Sequence, residues 1–395
     1  MNKTFSSRER MLAALNCQTP DHTPCSFMIF GALLKQSDSY LNFVQRQLDL
    51  GLDATIMLPL RQPIVRNDHY NLYGLPVSYD PEVRIEEQTI HVDSEELPVM
   101  VKTYHTPAGD LTTRVRQTED WRWGDHVPFL DDYLIPRSIE FLVEDEEDLD
   151  AFQFLLAAPT EGEIKTFHKQ AQPLKAFAED HGLLVTGGWG VGMDMLGWVH
   201  GLNNLVYDIY DRPDFLRKLF TMIADWNRQR MAVVLEAGID CFIKRAWYEN
   251  TDFFTPSMWK EIIQPELIED VRAAHEAGAK FGYIITANAM HLLDLIAESG
   301  VDAIIGIDPE AYDLDATKEK LGGRVCLWGG VNGHLTVEHG SPEVVRGEVS
   351  AALQSLGPDG FILSPVDNVR QDTPQAMANV KVLIETWQEL TGQHI

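Results

Sequence analysis

Short apolar, β-branched runs alternate along this chain with longer amphipathic stretches, and no other feature constrains its fold as tightly. A run that is apolar at successive positions is buried on both faces, as parallel strands are when crossover helices cover the sheet. Eight such runs occur: PCSFMIFG (24–31), DATIMLPL (53–60), LLVTGGWG (183–190), IDCFIKRAW (239–247), KFGYIIT (280–286), DAIIGID (302–308), RVCLWGG (324–330) and GFILSPV (360–366). Between the later runs, TPSMWKEIIQPELIEDVRAAHEAG and SPEVVRGEVSAALQSLG open on Thr or Ser before Pro and close on Gly, which is helix punctuation. Eight strands with helical crossovers predict an α/β fold of the TIM (β/α)8 barrel type. At 395 residues the chain fits one such domain, 1–395, with room for an insertion.

The insertion is expected after the second strand, at about 64–135, where VMVKTYHT and DLTTRVRQT alternate polar and apolar residues around PAG, a β-hairpin signal. The acidic VEDEEDLDAF that follows reads as the first turn of a returning helix, because carboxylates are favoured at a helix N-terminus.

Composition removes several classes of function. The formal charge is −28, with no Lys/Arg stripe, so a phosphate backbone would be repelled over most of the surface and nucleic acid is not expected as a partner. The N-terminal segment is too polar for a signal peptide, and no apolar run approaches the ~20 residues of a membrane span, so a cytoplasmic location is expected. Cys17, Cys25, Cys241 and Cys326 are scattered without CxxC or CxH spacing, which argues against a disulfide framework and a cysteine-rich zinc site.

In a barrel of parallel strands the chemistry gathers at the C-terminal strand ends. Those positions hold Arg61, Trp189 with Asp194, Trp247 with Tyr248 and Glu249, Thr286 with Asn288, Asp308, Trp328 with Asn332 and His334, and Asp367. Several have an equally good structural reading: Asp308 and Asn288 as caps of the segments they precede, His334 as a loop histidine, Arg61 as a surface arginine. Trp189, Trp247 and Trp328 follow three different strands and are read as lining a ligand cavity suited to a methoxylated ring or a methylated cation.

The start SSRERMLAALNCQTPDHTPC, the long block FFTPSMWKEIIQPELIEDVRAAHEAGAKFGYIITANAMHLLDLIAESGVDAIIGIDP, and GGRVCLWGGVNGHLTVEHGSPEVVRGEVSAAL with GFILSPVDNVRQDTP resemble the uroporphyrinogen decarboxylase superfamily over nearly the whole chain. The resemblance implies a TIM barrel. It also implies one of two activities, porphyrinogen decarboxylation or methyl transfer with corrinoid proteins. The decarboxylases carry an Arg-rich MRQAGR-type signature where this chain has MIFGALLKQ, and an aspartate where it has Pro59. The zinc-dependent thiol methyltransferases carry His-x-Cys where this chain has Ile284 and Thr286, and a further Cys near Asp367, so no thiolate zinc site is expected.

The reading closest to these departures is a substrate-to-corrinoid methyltransferase that demethylates a small O- or N-methylated compound, with cobalamin carried by a partner protein. Such a reaction needs an acid at the leaving atom, and Tyr248, Glu249, Asn288, Asp308 and His334 are the expected catalytic residues. Arg61, Trp189, Asp194, Trp247, Thr286, Trp328, Asn332 and Asp367 are expected to bind substrate. No metal is assigned; were one used, Glu249, His334, Asp308 and Asp367 would be its ligands. Two alternatives stand beside this reading: a decarboxylase of a small carboxylic acid held by Arg61 or by Lys244 and Arg245, and a ligand-binding barrel without catalysis. The resemblance also implies a homodimer.

Overall fold

A computed structural model of the protein describes residues 4–58 and 79–393. Arg61 and Pro59 lie outside the described residues. The chain divides into two compact units, one comprising 1–58, 171–188 and 235–395, the other 59–170 and 189–234.

The first unit holds the parallel strands. They are β1 (Thr55–Leu58), β6 (Leu184–Gly190), β7 (Cys241–Arg245), β8 (Lys280–Ile284), β9 (Ala303–Ile307), β10 (Cys326–Asn332) and β11 (Phe361–Val366), hydrogen-bonded in the order β1-β6-β7-β8-β9-β10-β11. The sheet is curled, and every residue of β7, β9, β10 and β11 is buried, as strands covered on both faces must be. Seven of the eight predicted runs therefore form one parallel sheet.

The first run, 24–31, does not form a ladder. It makes two isolated parallel bridges, Cys25 to Leu363 in β11 and Ile29 to Asn368 just beyond it, and accepts the Asp53 amide on the Cys25 carbonyl just ahead of β1. The reason lies in who takes its amides. The Met28 N–H donates to the Ser364 hydroxyl and the Gly31 N–H to the Asn368 side-chain oxygen, so side chains interrupt the backbone pairing. Pro24 has no N–H to give.

Helices follow the predicted punctuation with one difference. Thr255, Ser341 and Thr373 each cap a helix that begins at proline, accepting the amides of Met258, Val344 and Ala376. The stretch expected as one helix from Thr255 breaks into Pro256–Ile262 and Gln264–Glu276. Pro265 supplies the break, since it removes an amide and crowds the preceding turn.

The second unit carries an antiparallel sheet ordered β2-β3-β4-β5, from Arg84–Ile90, Val99–Thr106, Gly109–Arg116 and Ser138–Glu140. Its centre is the predicted hairpin around PAG, with Val99 facing Arg116 and Thr106 facing Gly109. The sheet runs past the expected end of the insertion, because β5 adds to β4. Among the described residues, no helix is long and apolar enough to cross a membrane.

Candidate functional site

Strand register decides which side chains share a face of the parallel sheet. Lys244 pairs with Tyr283 across β7 and β8, and its ammonium meets Asp270 of the helix Gln264–Glu276 at 2.8 Å, with both groups buried. Residues 244 and 283 therefore face the helices. Their neighbours Ile243, Arg245, Gly282 and Ile284 face the other way, into the curl of the sheet. There a Cβ on Gly282 would meet Ile305 and Ile243, which shows how closely this inner layer is filled.

Arg245 closes the inner face of β7. It is buried, and its guanidinium lies 4.0 Å from the centre of the half-buried Trp247 ring, a cation–π contact. Across the curl, at the C-terminal end of β11, Asp367 takes a left-handed backbone conformation with φ 64°. An L-residue other than glycine pays for that conformation, and such outliers cluster at functional sites. Burial pushes the Asp367 carboxyl above the usual carboxylate range. Arg370 pulls it down, Glu338 and Asp308 push it further up, and Arg245 opposes them. That Arg245 is felt at Asp367, with three strands between β7 and β11, reflects the curl.

Asp308 follows β9, and both its oxygens accept from the Asn332 side-chain amide, at 3.1 and 2.9 Å. Asn332 is a hub: its amide N–H donates to Glu348 and its side-chain oxygen accepts the Leu335 N–H, capping the turn that follows β10. Asp308 also takes the Glu310 N–H, so it serves as a cap while its carboxylate remains half-buried near Asp367.

The remaining expected residues fall in different places. Glu249 is fully buried, accepts the Tyr283 hydroxyl, and accepts the Trp259 indole N–H on its carbonyl, so it belongs with the helix-facing group around Lys244. Tyr248 is half-buried, edge-on to Phe253 at 5.8 Å. Asn288 is exposed; its side chain accepts the Met290 N–H, and its carbonyl is held by Thr251. Thr286 is half-buried beyond Ile284, which is fully buried and offers no ligand atom. Trp328 is buried with its indole donating to the Ser26 carbonyl at 2.8 Å, so it fills the interior instead of lining a cavity. His334 is exposed and bonds Glu338 at 3.0 Å. In the second unit Asp194 is fully buried in the helix Met193–Val199, and the side chain of Trp189 lies outside the described residues.

Three participants were not singled out from sequence: Tyr283, Glu338 and His339. The helix-facing tyrosine hides inside an apolar strand, but HLTVEH carries a visible spacing of two histidines about a glutamate. Burial alone would raise the Glu338 carboxyl; hydrogen bonds from His334 and from the Gln371 and Arg370 amides hold it below its ordinary value. The cysteines stand apart from these residues. Cys241 and Cys326 begin β7 and β10, at the opposite strand ends, and burial holds both as thiols.

A family model described as uroporphyrinogen decarboxylase (URO-D) matches residues 136–390. Among solved structures, a methyltransferase from Methanosarcina mazei aligns with a TM-score of 0.60 at 16% identity, covering 98% of this chain and 99% of its own. A B12-independent methionine synthase from Shewanella sp. W3-18-1 aligns at 0.47 and 11% identity, covering 94% and 98%. A D-psicose 3-epimerase from Clostridium cellulolyticum H10 aligns at 0.36 and 14% identity, covering 57% and 83%. No curated protein matches the sequence.

Proposed function

The chain belongs to the uroporphyrinogen decarboxylase family, and from that premise we propose that it is a substrate-to-corrinoid methyltransferase, removing the methyl group of a small O- or N-methylated compound. The observation that carries this reading is Asp367: a carboxyl at a strand end, in a strained backbone conformation, biased by its surroundings toward the protonated state. The fold shared with the Methanosarcina mazei methyltransferase over nearly the full chain supports it.

The methyl acceptor in this reading is a reduced cobalt corrin on a partner protein, which supplies the nucleophile. This chain's task is the leaving atom. As the bond from methyl carbon to oxygen or nitrogen breaks, its electron pair stays on the heteroatom, and Asp367 delivers the proton that makes a neutral alcohol, phenol or amine. The half-buried face of Trp247 gives a methoxylated ring or methylated cation a surface to stack on, held in place by Arg245 behind it. Asp308, fixed by Asn332, adds a carboxylate whose charge pushes the Asp367 carboxyl further up. Tyr248, Thr286, Asn288 and His334 remain as proposed contacts around this centre. The donor set fits this direction of transfer, since Ile284, Thr286 and Asp367 occupy the positions where the thiol-activating relatives carry zinc ligands.

The test is methyl transfer from a panel of methoxy-aromatics and methylamines to added cob(I)alamin, followed by the absorbance of methylcobalamin. Folded protein that forms none from any member of the panel would overturn the proposal. One observation favours a second reading, decarboxylation of a small carboxylic acid. Arg245 faces the inner side of the sheet, where it can hold a carboxylate, whereas Lys244 is committed to Asp270. Release of carbon dioxide without any corrin would select that reading.

A further inference from the structure

The segment after β10, GHLTVEH, folds as a π-helix over Gly333–Glu338. In an α-helix of 3.6 residues per turn, positions i and i+5 point ~140° apart. Here His339 caps the π turn with its N–H on the Thr336 carbonyl, and His334, Glu338 and His339 come together; such turns recur at functional sites. One ligand atom from each of the three lies within 4.8 Å of the other two. The two imidazole rings meet nearly at right angles, 4.7 Å between centres.

The carboxylate is fixed before any ion arrives. Glu338 is buried, and one oxygen accepts the backbone amides of Arg370 and Gln371 while the other faces His334 Nδ1 at 3.0 Å. Gln371 also touches His339 Nε2 at 3.1 Å. A half-turn of its carboxamide presents the oxygen to that ring nitrogen, the contact that orients a metal-ligating imidazole and leaves Nδ1 for the ion. Both histidines are exposed, which leaves a path of entry.

We propose that His334, Glu338 and His339 bind one divalent transition-metal ion of the zinc class. Two neutral imidazoles and one carboxylate are the donors such borderline cations take, whereas magnesium and calcium prefer oxygen alone. Three protein ligands leave a fourth position for water or a substrate oxygen. The set differs from the one expected from sequence, because Glu249 is engaged by Tyr283 and Asp308 by Asn332. Through Glu338 the ion would also be tied to residues 370 and 371, just beyond Asp367.

Untagged protein stripped with chelator and titrated with zinc chloride in a calorimeter should bind one equivalent, and cobalt(II) should give the visible absorption of a low-coordinate nitrogen–oxygen site. The double variant H334A/H339A should lose stoichiometric binding while keeping the metal-free thermal midpoint. Gln371→Ala should weaken binding by roughly ten- to a hundredfold, the scale for losing a group that orients a ligand. Should the double variant not fold, H334A and H339A are read singly, each expected to lose more than about tenfold. Absent binding, or binding equally tight in the histidine variants, overturns the proposal. Neither readout uses turnover, so the result stands apart from that of the methyl-transfer assay.

Discussion

Asp367 combines two properties that a packing residue has no need of. Its backbone sits at φ 64°, where glycine and asparagine are the usual occupants, and its carboxyl is held above the ordinary range by burial, opposed by Arg370 and reinforced by Glu338 and Asp308. Asparagine tolerates the same backbone and keeps the shape, so Asp367→Asn isolates the proton. If Asp367 is the acid, turnover should fall by roughly a hundred- to ten-thousandfold. The wild-type rate should decline as pH rises through the raised value, and the variant should lack that limb; an unchanged pH profile in steady-state kinetics would contradict the role. Stability carries the same sign. A carboxyl whose folded-state value is raised stabilises the fold while protonated, fully so below the unfolded value of about 3.9, and that contribution is lost as pH rises through the folded value. Asp367→Asn should therefore melt above the wild type at neutral pH, with the gap closing in acid, as thermal scans across pH will show.

At the scale of the element, β10 shows how the sheet trades regularity for position. Its pairing with β9 slips between Trp328 and Gly329, and Gly329 sits at φ 151° with an added Cβ 2.5 Å from the Ile307 carbonyl oxygen. No side chain fits between those two backbones. Gly329→Ala should cost about 2–4 kcal/mol, combining backbone strain with overpacking, and chemical denaturation measures it. The bulge precedes Asn332 and the π turn, so it sets where both emerge. Bulges of this kind are hard to read from sequence, which explains the uneven legibility of the molecule. The parallel strands were visible because burial on both faces writes itself as continuous apolar runs. That Arg245 turns inward and Lys244 outward needed the register, since adjacent residues in a strand differ only by phase. Glu249 lies beyond the strand end, where the path of the turn and not alternation decides its company, and Tyr283 looked like any other core residue of its strand. Asp308, Asn332 and Asp367 were legible because polar residues just past apolar runs stand out.

At the scale of the whole molecule, the parallel sheet and the segment beside it are held with unequal strength. The chain segment 24–31 makes two backbone bridges on the β11 side and one backbone bond ahead of β1, from the Asp53 amide to the Cys25 carbonyl, and the side chains of Ser364, Asn368, Asp53 and Trp328 add further contacts. Elsewhere each neighbour is held by a ladder; β10 and β11 share six paired positions. Opening a ladder requires several hydrogen bonds to break together, whereas a segment fastened by side chains opens a few contacts at a time. Deuterium should therefore enter the amides of Met28 and Gly31 well before those of β10 and β11, as exchange followed by mass spectrometry would reveal; equal protection would refute this. The β11 edge of the sheet has a clasp, and Ser364 and Asn368 are its fastenings.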